Sequence, residues 1–266
     1  MTDVTNKKLM IISGATSTLG KLAIEKYRNI FDLLLLDIEI NKLKKVQSQL
    51  APNASILGFD ITSTVSQSNL NKTLQKRDGF DYFLHFSEVG PDVLDISYIY
   101  KVNLIGTRVL FNTLYPHIHK DGVVINLSAT SAYLTPIPAG VFPLLNDPLR
   151  KTFLDEIVPL TKDAALAYGW AKFGAACFTK RDSGKWGLKK ASLINIFPDH
   201  TKSLNIANMS ENCKELYQAL QYNTGVPLSK EHLLTFIDDL LNSNKTLNGV
   251  NIILGNFENT PNGQEL

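Results

Sequence analysis

Short apolar runs alternate with longer amphipathic stretches along this chain. Seven of the runs predict strands, because they are apolar at nearly every position, which is typical of strands covered on both faces. These runs are Leu9–Ser13, Leu33–Asp37, Ile56–Phe59, Tyr82–Phe86, Val123–Leu127, Ala191–Phe197 and Val250–Leu254. The stretches between them predict helices at about residues 18–30, 39–50, 64–77, 97–118, 164–181, 203–220 and 229–242. This alternation predicts an α/β fold, a single domain over residues 1–266 with a doubly wound, seven-stranded, mostly parallel sheet flanked by helices.

A long segment without a predicted strand, residues 134–166, follows the fifth strand. Its first part, Leu134–Pro143, is rich in proline, and Asp147–Leu160 predicts a short helix with Pro148 in its first turn. A helical insertion at the carboxyl end of a strand is often a substrate lid, but an oligomer contact or a surface loop is an equal alternative. Four apolar residues favour a lid over a hydrophobic substrate: Val141, Phe142, Leu144 and Leu145.

Composition narrows the class of protein. The chain has 266 residues, 44% apolar and 20% charged, with a net charge of +2, which indicates a globular protein and gives no sign of a nucleic-acid partner. Two cysteines, Cys177 and Cys213, show no disulfide or metal-ligand spacing, so we expect no metal site and a cytoplasmic location. No apolar run reaches the ~18 residues that span a bilayer, so no membrane association is expected.

A glycine-bounded loop follows the first predicted strand and precedes the first helix. In the run Gly14-Ala15-Thr16-Ser17-Thr18-Leu19-Gly20, Gly14 permits a tight turn and Gly20 permits close helix–strand packing. The loop amides and the helix N-terminus suit a pyrophosphate, as in a Rossmann dinucleotide site. The middle glycine of the usual pattern is missing, and Ser17 and Thr18 stand there instead.

Acidic residues end the second and third predicted strands. Asp37 lies 17 residues after Gly20, where a carboxylate bonds the adenosine ribose, and neither Ile38 nor Glu39 offers a cation for a 2′-phosphate. The prediction is therefore NAD(H) over NADP(H). Asp60, followed by Ile61, is placed to meet the adenine amino group. Each carboxylate has an alternative role in capping the helix that follows it.

A tyrosine and a lysine lie four positions apart on the helix predicted after the fifth strand. This spacing puts Tyr168 and Lys172 on one helix face, so the ammonium is expected to lower the phenol pKa from about 10. The motif is common by chance, and its significance rests on its position in the fold. The alternative interpretation is that Tyr168 is a core residue on the apolar face of an amphipathic helix.

Taken in order along the chain, these motifs resemble those of the short-chain dehydrogenase/reductase family. The resemblance covers nearly the whole chain. It rests on the Gly14–Gly20 loop, Asp37, Asp60-Ile61-Thr62, Val102-Asn103-Leu104-Ile105-Gly106-Thr107, Ile125-Asn126-Leu127-Ser128 and Tyr168–Lys172. It implies an NAD(H)-dependent oxidoreductase that interconverts a secondary alcohol and a ketone on a small-molecule substrate, working as a homodimer or homotetramer.

The resemblance also implies a role for each matching residue. Tyr168 is the general acid/base, and Lys172 lowers its pKa and binds the nicotinamide ribose. Ser128 bonds the substrate carbonyl, although Ala129 takes its place under another alignment and Ser131 is close, and Asn103 holds a proton-relay water. The implied cofactor-binding residues are Gly14, Thr16, Ser17, Leu19, Gly20, Asp37, Ile38, Asp60, Ile61, Phe86, Ser87, Lys172 and Pro198.

Two loops depart from the family pattern, and three branches remain open. The family's Asn-Asn-Ala-Gly segment reads His85-Phe86-Ser87-Glu88 here, and its Pro-Gly pair reads Pro198-Asp199. The long insertion resembles that of bacterial 3α-hydroxysteroid dehydrogenase/carbonyl reductase. The segments around His85 and Asn103 also resemble extended-type nucleotide-sugar epimerases, although few residues remain for their substrate domain. A dinucleotide-binding sensor without turnover is the third alternative.

Overall fold

The seven predicted strands form one parallel sheet. A computed structural model describes residues 7–198, 228–242 and 247–254. The strands are β1 (Leu9–Ser13), β2 (Asp32–Asp37), β3 (Ser55–Gly58), β4 (Phe80–His85), β5 (Ile118–Leu127), β6 (Ser192–Pro198) and β7 (Val250–Leu254). Their order across the sheet is β3-β2-β1-β4-β5-β6-β7, and every neighbouring pair is parallel. The predicted fold class is confirmed.

Strand β5 begins earlier than its apolar run. The polar residues after Ile118 hide its start, and the pairing with β4 shifts register between Phe80 and Tyr82. Asp121 takes a positive φ of 63° at this irregularity, which lets the strand return to register at Val123. The apolar pattern therefore located only the regular part of the strand.

The helices of the described chain cover both faces of the sheet. They are α1 (Thr18–Tyr27), α2 (Ile40–Leu50), α3 (Thr64–Lys76), α4 (Ile96–Tyr100), α5 (Thr107–Leu114), α6 (Ser131–Leu134), α7 (Phe142–Asn146), α8 (Phe153–Ile157), α9 (Ala164–Leu188) and α10 (Lys230–Asn242). Side chains of Ser17, Ser63, Asp95 and Asp163 accept a backbone hydrogen bond at the starts of α1, α3, α4 and α9. The helix predicted at 203–220 lies outside the described residues. Within them, no helix is both long and apolar enough to cross a bilayer.

The single helix predicted at 97–118 is composite. A π-helical turn, Lys101–Gly106, joins α4 to α5, and a 3₁₀ turn, Tyr115–His117, ends the segment. Pro116 interrupts the helical hydrogen bonds there, because it has no backbone N–H to donate. The π turn carries Asn103, and such turns occur frequently at functional sites.

Two hydrophobic cores lie on opposite faces of the sheet. One packs α3, α4, α5 and α9 against the face that carries Ile11, Phe83 and Val124. The other packs α1, α2 and α10 against the face that carries Met10 and Ile12. Apolar side chains on both faces explain why the strands lack polar alternation.

The strand order places a crevice beside β1. The chain moves outward from β1 through β2 to β3, and then crosses to β4 on the other side. Loops leaving β1 and β4 therefore diverge at the carboxyl edge, which is where doubly wound sheets bind ligands.

The insertion after β5 differs from its prediction. Pro148 does not start a helix; α7 and α8 lie on either side of it, followed by a 3₁₀ turn at Val158–Leu160. Val141, Leu144 and Leu145 are buried in the core that contains α9, and only Phe142 is substantially exposed, at 45%. The expectation that all four line a lid is wrong, because three of them anchor the insertion.

Candidate active site

The turn after β1 is shaped by close backbone contact with the segment after β4. Gly14 has a φ of +67°, and a Cβ there would lie 2.7 Å from the carbonyl carbon of Phe86 and 2.9 Å from the amide nitrogen of Ser87. A Cβ on Gly20 would lie 2.3 Å from the carbonyl oxygen of Gly14. Both glycines are required by sterics, as the sequence predicted.

Helix α1 opens directly from this turn. Ser17 is its N-cap, and the Ser17 hydroxyl accepts a hydrogen bond of 3.0 Å from the amide of Gly20. Leu19 points into the core beneath the helix. Ser17 and Leu19 thus fix the helix, and the N-terminal end of the helix dipole faces the crevice, where it favours an anion.

Asp37 ends β2 beside the same turn. Its Oδ2 accepts hydrogen bonds of 2.9 Å from both the amide and the hydroxyl of Thr16, and its Oδ1 accepts one of 3.0 Å from the amide of Glu39. A carboxylate has about four acceptor sites, so one remains on Oδ1 for a ligand hydroxyl. Asp37 does not cap α2, whose N-cap is Glu39 without a side-chain bond.

Asp60 lies two residues beyond the end of β3. Its Oδ1 accepts hydrogen bonds from the amide of Thr62, at 2.9 Å, and from the Thr62 hydroxyl, at 2.7 Å. The alternative role as cap of α3 is wrong, because Ser63 caps that helix. Asp60 therefore organises the turn that reaches the crevice.

Nine of the predicted cofactor-binding residues line one cavity of about 240 Å³ at the carboxyl edge. They are Gly14, Thr16, Ser17, Asp37, Ile38, Asp60, Ile61, Phe86 and Ser87. Of the other four, Leu19 and Gly20 support the turn from behind, Lys172 lies at the acid/base site, and Pro198 ends β6 half-buried. The volume lies below the ~300 Å³ lower limit for whole drug-sized ligands, so it suits one nucleoside.

Sequence reasoning missed several residues of this cavity wall. Glu39, Phe59, Val89, Tyr98 and Val102 also line the cavity. Phe59 and Val102 lay inside an apolar run and a helical stretch, so their types indicated core. Val89 lies in the loop after β4, whose path no local pattern predicts, and Tyr98 lies in α4, inside the predicted helical stretch.

The cavity wall is acidic. Its described lining includes the carboxylates of Asp37, Glu39, Asp60 and Glu88, and no lysine or arginine. Glu39 pairs with Lys42 and Glu88 with Lys172. The negative charge of the wall therefore comes mainly from Asp37 and Asp60, which repel a 2′-phosphate and accept the hydroxyl hydrogens of a ribose.

Tyr168 and Lys172 meet Glu88 at the inner end of this crevice. The Tyr168 hydroxyl donates to Glu88 Oε2 at 3.1 Å, and Lys172 Nζ lies 2.6 Å from the same oxygen. Lys172 Nζ also approaches the carbonyl oxygen of Leu127 at 3.4 Å. Helix α9 presents the two side chains one turn apart, as their spacing predicted, and Glu88 bridges them.

The pKa of Tyr168 moves opposite to the prediction. Burial raises it well above 10, and the negative charge of Glu88, the hydrogen bond to Glu88 and the charge of Asp92 raise it further. The expectation that Lys172 lowers this pKa is wrong for this arrangement, because Glu88 pairs with the ammonium and also accepts a hydrogen bond from the phenol. Tyr168 is therefore a protonated donor at neutral pH.

Ser128 and Ser131, the alternative positions for the predicted catalytic hydroxyl, differ in their partners. The buried Ser128 hydroxyl lies 3.4 Å from the backbone carbonyl oxygen of Lys172. The Ser131 hydroxyl oxygen is buried without a hydrogen-bond partner among the described residues. The register of this role therefore stays open between the two.

Asn103 binds the backbone of the loop after β4. Its Oδ1 accepts a hydrogen bond of 3.0 Å from the amide of Val89, and its Nδ2 donates one of 2.8 Å to the Val89 carbonyl oxygen. The π turn thus clamps the loop next to Glu88. The relay-water role of Asn103 stays a prediction.

His85, the last residue of β4, is buried between the two halves of the crevice. Its Nδ1 lies 2.7 Å from the Ser13 hydroxyl, and its Nε2 lies 3.2 Å from the Thr107 hydroxyl. Burial, with a smaller contribution from the charge of Lys172, lowers its pKa to about 3. His85 is therefore neutral and joins the end of β1 to the start of α5.

Comparison with known proteins finds solved structures that share this fold. No family model matches the chain, and neither does any curated protein. A 3α-hydroxysteroid dehydrogenase from Pseudomonas sp. B-0831, solved with NADH, is 15% identical, with a TM-score of 0.71 over 92% of this chain and 94% of that one. An NAD⁺-bound xylitol dehydrogenase is 13% identical, with a TM-score of 0.70 over 94% and 98%. A short-chain dehydrogenase/reductase variant from Serratia marcescens is 14% identical, with a TM-score of 0.67 over 93% and 96%. At these identities the likeness establishes the fold, which the motifs had predicted.

Proposed function

We propose that this protein is an NAD(H)-dependent oxidoreductase that interconverts a secondary alcohol and a ketone. The observation that carries the proposal is that Glu88 lines the nucleoside-sized cavity and also contacts the Tyr168–Lys172 pair. One crevice therefore joins a dinucleotide-type turn to a proton donor. The fold is shared with dehydrogenases whose solved structures contain NADH or NAD⁺.

The residues of the cavity fit the adenosine half of NAD(H). Asp37 retains one acceptor site for a ribose hydroxyl, and the N-terminus of α1 suits the pyrophosphate. The acidic wall supports NAD(H) over NADP(H). When bound, the nicotinamide supplies or accepts a hydride.

Tyr168 acts as the acid in the reduction direction. It is protonated at neutral pH, and it gives its proton to the carbonyl oxygen as that oxygen gains negative charge. Lys172 supplies a positive charge one helical turn away and is placed to bind the ribose next to the reacting ring. A hydroxyl from Ser128 or Ser131 orients the substrate oxygen.

A hydrophobic substrate is supported by one wall of the insertion. A cavity of about 650 Å³ is lined mainly by apolar side chains, among them Tyr133, Ile137, Phe142 and Phe173. Tyr133 and Phe142 are each more than two-fifths exposed there, at 44% and 45%. Residues 134–166 thus combine a buried anchor with an apolar surface that serves as a lid or as a homodimer or homotetramer contact.

A non-catalytic dinucleotide sensor is the second candidate. It is favoured by Glu88, which engages both Tyr168 and Lys172 through one oxygen and so competes with a substrate for them. A sensor binds NADH without oxidising it in the presence of carbonyl compounds.

The test measures binding first and turnover second. NADH fluorescence on titration with protein reports binding, and NADH oxidation is then followed with a panel of ketones and quinones. Tyr168→Phe should reduce turnover by about 10²–10⁴-fold and leave NADH binding intact, because only the proton transfer is removed. The control Tyr115→Phe removes a hydroxyl that donates to the Lys185 carbonyl oxygen, outside the lining of both cavities, and should retain activity.

Three results would count against parts of this proposal. Turnover that survives Tyr168→Phe removes the acid role of that residue. Preference for NADPH contradicts the reading of the acidic cavity wall. NADH binding without turnover on every carbonyl compound favours the sensor.

A further inference from the structure

We propose that Glu88 is the immediate proton partner of Tyr168, set in place by Asn103 through the backbone of Val89. The proposal rests on the proposed acid role of Tyr168, and it adds a residue to the acid/base site. Glu88 acts on the substrate only through Tyr168, so it is a positioning and proton-exchange residue.

The contacts of Glu88 single it out. One carboxylate oxygen, Oε2, accepts the Tyr168 hydroxyl at 3.1 Å and faces Lys172 Nζ at 2.6 Å. Lys172 is almost fully enclosed, with its side chain 5% exposed, whereas the Glu88 side chain is 38% exposed. Glu88 therefore connects a buried phenol to solvent, from which Tyr168 and Lys172 are almost fully enclosed.

The position of Glu88 is fixed by an unusual helix turn. Asn103 holds both backbone polar groups of Val89, the residue that follows Glu88, with bonds of 3.0 and 2.8 Å. Asn103 itself lies in the π turn between α4 and α5. A bidentate amide clamp on the adjacent peptide limits how far the Glu88 backbone can move, so the carboxylate stays within reach of Tyr168.

Other charged groups near the phenol are few in the described structure. Asp92 acts on Tyr168 through its charge alone, and Lys172, which lies on α9, pairs with Glu88. His85, on β4 behind Lys172, is neutral. Glu88 is thus the group that both accepts the hydrogen bond of the phenol and is partly exposed to solvent.

This arrangement accounts for the source and the destination of the proton in both directions of the reaction. During reduction, the Tyr168 O–H bond breaks as an O–H bond forms on the substrate oxygen, and the hydride comes from the cofactor of the proposed function. The Glu88 carboxylate then takes a proton from water and passes it to the phenolate, which restores the starting pair of phenol and carboxylate. During oxidation, the substrate proton reaches the tyrosine oxygen as the phenol proton passes to Glu88 and then to solvent.

The test measures the titration of the Tyr168 phenol itself and needs neither cofactor nor substrate. The full chain is labelled with ¹³C at the tyrosine ζ-carbons, and the Tyr168 signal is identified by its loss in Tyr168→Phe. In Glu88→Gln the Tyr168 signal should titrate at least about one pH unit below the wild-type protein, because the adjacent negative charge is gone and Lys172 is unpaired. In Asp92→Asn the shift should be smaller, because Asp92 makes no hydrogen bond to the phenol.

A second variant separates placement from charge. Asn103→Ala leaves the carboxylate in the chain and releases the Val89 clamp, so it should shift the Tyr168 titration in the same direction as Glu88→Gln. An unchanged titration in Glu88→Gln, or an equal shift in Asp92→Asn, overturns the proposal. If Asn103→Ala leaves the titration unchanged, the positioning role of Asn103 is wrong. A protein that oxidises no NADH but shows the expected shifts refutes the proposed function and keeps the Tyr168–Glu88 coupling.

Discussion

The two halves of the crevice are built in different ways. The adenosine half is made from backbone: Gly14 lies against Phe86 and Ser87, and Gly20 lies against Gly14 at distances that exclude any Cβ. The acid/base half is made from ionisable side chains, with Glu88 between Tyr168 and Lys172. Backbone contacts this close admit no residue other than glycine, so the glycines in the sequence indicate where they occur. The protonation of an ionisable site depends on which charged groups lie next to it. Here the deciding group is Glu88, a residue of the loop after β4.

This difference predicts that substitutions cost most stability in the backbone-built half. Gly14→Ala should destabilise the protein by about 3 kcal/mol, the upper end for a residue held at an unfavourable φ, because its Cβ also meets backbone atoms that cannot move aside. Urea unfolding at neutral pH measures the change.

Gly140→Ala is the matched control. Gly140 has no atom within 4 Å of an added Cβ and has no positive φ, so its substitution should change the free energy of unfolding by less than about 0.5 kcal/mol. If the two substitutions changed the free energy of unfolding equally, the turn after β1 would not be in close contact with the segment after β4.

The fold could be predicted from the sequence for the same reason as the turn after β1. Apolar runs covered on both faces and glycine-bounded loops are local signals, and they gave the seven strands and the turn after β1. The insertion was predicted less well, because burial of Leu144 and Leu145 against α9 depends on tertiary packing rather than on local pattern. The early start of β5 was hidden for a related reason: its polar residues pair with β4 through a register shift.

His85 links the two halves and should make stability depend on acid pH. Its pKa is about 3 in the folded chain, against 6.5 in the unfolded chain, mainly through burial. Between these values the unfolded state binds more protons, so stability is fully present above pH 6.5 and is lost as pH falls. Lowering the pH from 8 to 5 should remove about 2 kcal/mol through this group, and His85→Gln should lose that dependence.

His119→Gln is the control for this experiment, because it should act in the opposite sense. Burial lowers the pKa of His119, but bonds to the Asp78 carbonyl and to Asp81 outweigh that effect and raise it. A raised pKa gives stability that is present below the unfolded value and is lost as pH rises through the folded value. Removing His119 should therefore steepen the loss of stability on acidification. If both variants flatten the profile, the assignment to His85 is wrong.

The acid/base half shows where sequence reasoning stopped. The i, i+4 spacing of Tyr168 and Lys172 correctly gave a shared helix face and the correct helix. It gave the wrong direction for the phenol pKa, because the partner of Lys172 is Glu88, 84 positions earlier in the chain. Glu88 was visible as a departure from the family pattern, but only the three-dimensional path of its loop shows what it contacts. Asn103 was located in a helix, and its bond to Val89 required the π turn.

The smallest expected effect on stability tests whether Asp37 belongs to the fold or to the ligand. Asp37→Asn keeps the shape but turns one acceptor into a donor facing the Thr16 or Glu39 amide, which should cost about 1 kcal/mol of stability. Its effect on NADH should be larger: an approximately tenfold or greater loss of affinity, measured by fluorescence titration, since the ribose loses a charged acceptor. Glu39→Gln, at a neighbouring carboxylate in the same cavity wall, should leave NADH affinity within about threefold, because the Glu39 carboxylate is already paired with Lys42 and contributes only to the general negative field. If both variants weaken NADH binding equally, the cavity acts through that field rather than through a bond at Asp37. The adenosine half would then depend on charge as the acid/base half does, and the contrast between them would be confined to the glycines.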